Sequence, residues 1–66
     1  MTGADVLDLR QRLGWTQTQL GAAVGVHYVS VCRWENGHRV PSDLAVRELK
    51  RLARRLANAE RNSPEK

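Results

Sequence analysis

The sequence predicts an all-α fold, a small domain of about four helices with the last one long. Three observations carry this. Thr16 and Gln19 stand at capping-box spacing, where the Thr hydroxyl takes the backbone N–H three residues on and the Gln side chain reaches back. Gly25 and then Asn36-Gly37 supply two stops close together, because glycine accepts the left-handed conformation just past a helix end. From Ser42 to Ala59 neither Gly nor Pro interrupts a helical pattern.

Each element follows from local chemistry. Thr2 and Asp5 form a weaker cap that opens a first helix ending near Leu13-Gly14. Val6, Leu9 and Leu13 share one face of it at helical spacing, and Arg10 lies on that same face. A second helix starts at Gln17, with Trp15 and Leu20 spaced as a hydrophobic staple. Leu20 and Val24 face the core there, with Ala23 beside them. A third helix spans about His27 to Asn36. Val31 and Trp34, three apart, mark its buried face, and Val26 packs at its entry. Val29 and Arg33 project on the other side, with Cys32 next to them and Tyr28 in the first turn.

Val40 is expected to tuck into the core, and Ser42 to cap the last helix with Asp43 in its first turn. That helix covers about residues 42–60. Ala45, Leu49, Leu52, Leu56 and Ala59 are spaced four, three, four and three, as in an a/d seam. Arg47, Lys50, Arg51, Arg54 and Arg55 cover its other side. They read as a solvated helix face, the alternative being an electrostatic footprint for DNA. Residues 61–66, polar and Pro-containing, read as a disordered tail, so that one domain fills residues 1–60.

Sixty-six residues allow one small core. Eleven Lys and Arg against seven Asp and Glu give a net charge of +4, which favours a polyanionic partner unless the surface is merely solvated. Cys32 is alone, so no intrachain disulfide forms and the chain fits a reducing cytoplasm. No apolar run approaches the ~18 residues of a membrane span. Catalysis has almost no material: His27 and Cys32 are five apart and turn to different faces. Together with His38 they do not match zinc spacing, and no glycine loop cradles a phosphate. No enzyme activity, metal, cofactor or small-molecule ligand is expected.

Two short helices joined by a tight glycine turn, about residues 16–36 of a basic chain, spell helix-turn-helix. Leu9-Arg10, Thr16-Gln17, Leu20, Gly25-Val26, Trp34-Glu35-Asn36-Gly37 and Pro41-Ser42 resemble the Cro/repressor-type (XRE-like) helix-turn-helix DNA-binding domains, over about Val6 to Leu52. The chain departs from them at Gly21, where Ala is usual, and after Pro41, where one long helix replaces two short ones.

The resemblance implies sequence-specific binding of double-stranded DNA by a transcriptional regulator, a repressor that meets a palindromic operator as a homodimer. It puts the base-reading side chains at Tyr28, Val29, Cys32 and Arg33. Arg33 suits guanine N7 and O6, and Val29 a thymine methyl. Phosphate contacts fall to Gln17, His27, Ser30, Asn36, His38 and Arg39. A basic residue on an apolar stripe needs a partner, and the resemblance points to a buried Arg10–Glu35 ion pair. Plain readings stand beside these: an Arg10 whose head reaches water, an exposed Gln17, an Arg33 paired with a surface carboxylate, and a loop at 36–39 that only connects. Leu49, Leu52 and Leu56 are the expected dimer contact, with Leu49 shared with the core beside Val31 and Trp34; the alternative is a monomer in which Leu52 and Leu56 fold back on the first helix. The alternative function is a protein–protein docking module, such as the antitoxin partner of a larger protein.

Overall fold

Two threonines start the first two helices of the computed structural model, which describes residues 1–61. Thr2 Oγ1 accepts from the Asp5 backbone N–H at 3.2 Å, and the Asp5 carboxylate accepts from the Thr2 N–H at 2.9 Å. Those bonds, the backbone one first, hold the Asp5 carboxyl below its usual range. Thr16 and Gln19 repeat the arrangement at 3.1 and 2.8 Å. Helix α1 runs Gly3–Leu13 and α2 runs Gln17–Val24. Gly14 and Gly25 close them at φ 71° and 91°, values only glycine adopts freely.

Helix α3, Tyr28–Glu35, has no hydroxyl cap; His27 Nδ1 accepts from the Val29 N–H at 3.2 Å instead. Helix α4 spans Asp43–Arg61, with Ser42 Oγ accepting from the Ala45 N–H at 3.2 Å. It therefore takes in Arg61, the first residue of the expected tail; residues 62–66 lie outside the described part. No helix among the described residues is long and apolar enough to cross a membrane.

All four helices contribute to one core of Val6, Leu9, Leu20, Val31, Trp34, Ala45 and Leu49. Helices α3 and α4 each pack on α1 and α2 and make little contact with each other.

Two core expectations are corrected. Ala23 is exposed, because the buried side of α2 is centred between Leu20 and Gly21. Val40 is 79% exposed while Pro41 is buried. A residue before proline is held extended, where successive side chains point opposite ways, so only one of the two can turn inward. Leu49 takes its expected place in the core, and it is fully buried there, with no exposed surface left for a second copy.

Gly21 departs from the Ala usual in the resembled domains because it sits against the turn. Its carbonyl accepts from both the Gly25 and Val26 N–H groups at 2.8 Å. A Cβ there would lie 2.7 Å from the Val26 carbonyl oxygen and 3.3 Å from the Tyr28 nitrogen. Helix propensity alone would reward Gly21→Ala by about 1 kcal/mol. Backbone atoms cannot swing away as a side chain can, so the substitution should instead destabilise the domain by about 1–3 kcal/mol. Thermal unfolding checks the sign, and a raised melting temperature would show that the turn has room.

Candidate nucleic-acid interface

The surface in question is the side of α3 that the core leaves out. Val31 and Trp34 face inward. On the opposite side stand Arg33 and Asn36, exposed, with Val29 and Cys32 half-buried beside them and Tyr28 at the entrance, 47% exposed. A helix with its side chains is about 10–12 Å across, a fit to the ~12 Å width of the DNA major groove.

What aims this face is the last residue of the helix. Glu35 Oε2 accepts from Arg10 Nε at 2.6 Å, and Oε1 from Arg10 Nη2 at 3.1 Å. Gln17 Nε2 adds a third donor to Oε1 at 3.0 Å. The remaining arm of Arg10, Nη1, donates to the Trp15 carbonyl at 3.1 Å. The Glu35 side chain is 7% exposed and that of Arg10 20%, so the pair is part-buried, the carboxylate more deeply than the guanidinium. Hydrogen bonds to Glu35 hold the Arg10 proton more firmly than usual, against the opposing effect of burial. Helix α1, the α1–α2 connection, the first turn of α2 and the end of α3 thus meet at one carboxylate.

The expected contact residues take up distinct local roles. Gln17 has one of its two amide hydrogens on Glu35, and its part in holding α3 was not legible from the sequence; no short-range pattern links residues eighteen apart. His27 accepts at Nδ1, which leaves its hydrogen on Nε2 as an outward donor, and its ring lies 4.7 Å from that of Tyr28. Asn36 Nδ2 donates to Cys32 Sγ at 3.3 Å, one turn back. Ser30 and Arg39 stand on two sides of one shallow hollow next to α3. The loop that carries His38 and Arg39 is docked by its backbone, His38 N–H donating to the Arg33 carbonyl at 2.9 Å. Among the described residues no carboxylate pairs with Arg33 or Arg39.

A family model described as Helix-turn-helix matches residues 6–57. The chain belongs to the Cro/repressor-type helix-turn-helix domains. The match takes in α1 to α3 and reaches along α4, so the long last helix is part of this helix-turn-helix domain. Neither a curated protein nor a solved structure matches it. DNA-binding regulation is the work of the family, which is not typically enzymatic.

The geometry at Glu35 generates a stability series. Arg10→Ala and Glu35→Ala should each destabilise the helix-turn-helix domain by about 3–5 kcal/mol, because each leaves a part-buried charge alone. The double variant should lose clearly less than the sum, and Gln17→Ala about 1 kcal/mol. Chemical denaturation of the four proteins tests this; a Glu35→Ala protein as stable as the parent would contradict the buried pair.

Proposed function

We propose that this chain is a sequence-specific transcriptional regulator, a repressor that reads a palindromic operator in double-stranded DNA as a homodimer. The observation that carries the reading is the outer face of α3, where Arg33 stands without a carboxylate partner among the described residues, beside Val29 and Tyr28. A planar guanidinium fits guanine N7 and O6 with two hydrogen bonds, and an apolar neighbour fits a thymine methyl. Cys32 edges the same surface. Gln17, His27, Ser30, Asn36, His38 and Arg39 ring it with donors suited to phosphate, and phosphate contacts set register while base contacts set specificity.

The dimer follows from what one short helix can read. A few base pairs do not single out a site in a genome, whereas two copies read half-sites roughly 34 Å apart. The leucine seam has only part of its surface free for such a contact. Leu49 is enclosed, and Leu52 and Leu56 are half-buried against their own core. Among the large apolar side chains Val40 and Leu44 are the most exposed, at 79% and 72%, and both are close to the end of α3 in sequence. These are what a second copy would cover. The same two residues would also serve a docking module, which needs no DNA. Work on DNA would set the protein inside the cell.

Two experiments follow. On a duplex selected from a random library, Arg33→Ala should lose about 1–3 kcal/mol of binding and relax preference at one base pair. Arg39→Ala should weaken all duplexes alike and flatten the salt dependence. Equal losses on selected and random duplexes for Arg33→Ala would make it a phosphate contact. In sedimentation at micromolar concentration the parent should be dimeric and Leu44→Glu a folded monomer. A parent that stays monomeric both alone and on DNA would end the dimer reading.

A further inference from the structure

Most of the positive charge is not beside the reading face. Arg10 is paired with Glu35, and Arg12 lies 3.0 Å from Asp8. The α3 side is left with Arg33 and Arg39. In α4, by contrast, Arg47, Lys50, Arg51, Arg54 and Arg55 stand within nine residues against one carboxylate, Glu48. The surplus on that stretch is four positive charges, equal to the +4 of the entire chain.

These cations are not balanced locally. Glu48 meets Arg51 at 3.8 Å with both side chains largely or partly in water, a contact that contributes little. Arg47, Lys50, Arg51 and Arg54 line one shallow hollow, so four like charges converge on a common space. Like charges one turn apart oppose the helix that carries them. The isolated domain gains nothing from the arrangement; a polyanion in the hollow would.

Position decides which polyanion. The buried stripe of α4, Ala45 and Leu49 with Leu52 and Leu56 half-buried, faces α1 and α2. The four cations lie round the helix on the far side from it. Both α3 and α4 pack on α1 and α2 and make little contact with each other, and the cations of α4, like the outer face of α3, look away from the core the helices share. From Arg47 to Arg54 is about 10 Å along the axis, the span from the first to the last of about four successive phosphates on one DNA strand at ~3.4 Å spacing.

We propose that the outer face of α4 is a second DNA-backbone surface, on which a further duplex segment sits while α3 holds the first, so that the protein bridges two segments of DNA. This rests on the reading of α3 as a DNA-contacting helix.

The test uses the full chain. A duplex carrying the library-selected site is fixed on beads and saturated with protein, and a labelled duplex of random sequence is added. The parent should recruit it. Replacing Arg47, Lys50, Arg51 and Arg54 together by Gln should cut recruitment by at least about tenfold, since four phosphate contacts give a steep dependence on charge. Affinity for the selected site should stay within about twofold, as expected for distant, independent surfaces. The Arg33→Ala, Arg39→Ala double variant should lose site preference yet still bind random duplex, with a log–log salt slope near −3.6, about −0.9 per phosphate. No recruitment by the parent, undiminished recruitment by the Gln variant, or a parallel loss of its selected-site affinity would each overturn the proposal and leave the α3 reading standing. Displacement of the random duplex by polyglutamate as readily as by unlabelled duplex would also overturn it, in favour of an acidic protein. A parent that binds no duplex at all would instead remove the α3 reading, and this one with it.

Discussion

The Glu35 carboxylate is the point on which the rest of the domain depends. A helix of eight residues does not stand alone in water, and α3 puts only Val31 and Trp34 fully into the core. Those two contacts set which face of α3 turns inward. The two-armed bond from Arg10 and the amide of Gln17 fix the end of the helix against α1 and α2 at 2.6–3.1 Å. Arg10 also takes the Trp15 carbonyl, so the same guanidinium orders the α1–α2 connection. A surface that reads base edges must be held rigidly, and this cluster is what holds it.

Much of this arrangement was legible in the chain because it is local. The Thr2 and Thr16 capping boxes, the Gly14 and Gly25 stops and the Val31/Trp34 spacing are all set by residues within one helical turn. Arg10 on an apolar stripe announced a need for a carboxylate, and Glu35 meets it in the structure. Gln17 gave no such sign: it sits in an ordinary first-turn position, and only the approach of α3 brings Glu35 to its amide. Val40 and Pro41 differ in which one turns inward, a choice made by the path of the loop and not by hydrophobicity. Leu49 belonged to a seam that could serve a partner or the chain's own core, and in so small a domain the core took it.

Charge and shape divide the molecule in a consistent way. Pairing removes Arg10 and Arg12 from the surface balance, leaving α3 with a sparse set of polar and apolar groups suited to discrimination. The dense cations of α4 suit affinity without sequence preference, because phosphate attraction is the same for every base pair. Gly21 shows the same economy of space in the backbone: the turn that presents α3 is packed so closely on α2 that a single methyl has no place.

If the outer face of α3, aimed by Glu35, meets DNA, backbone and guanidinium nitrogen NMR will register it when one equivalent of a library-selected duplex is added to the labelled protein. The largest shifts should then fall at the Tyr28, Val29 and Arg33 amides and at Arg33 Nε–H, with Arg10 Nε–H retaining the signature of its bond to Glu35. Largest shifts on α1 or α4, with α3 unmoved, would contradict it.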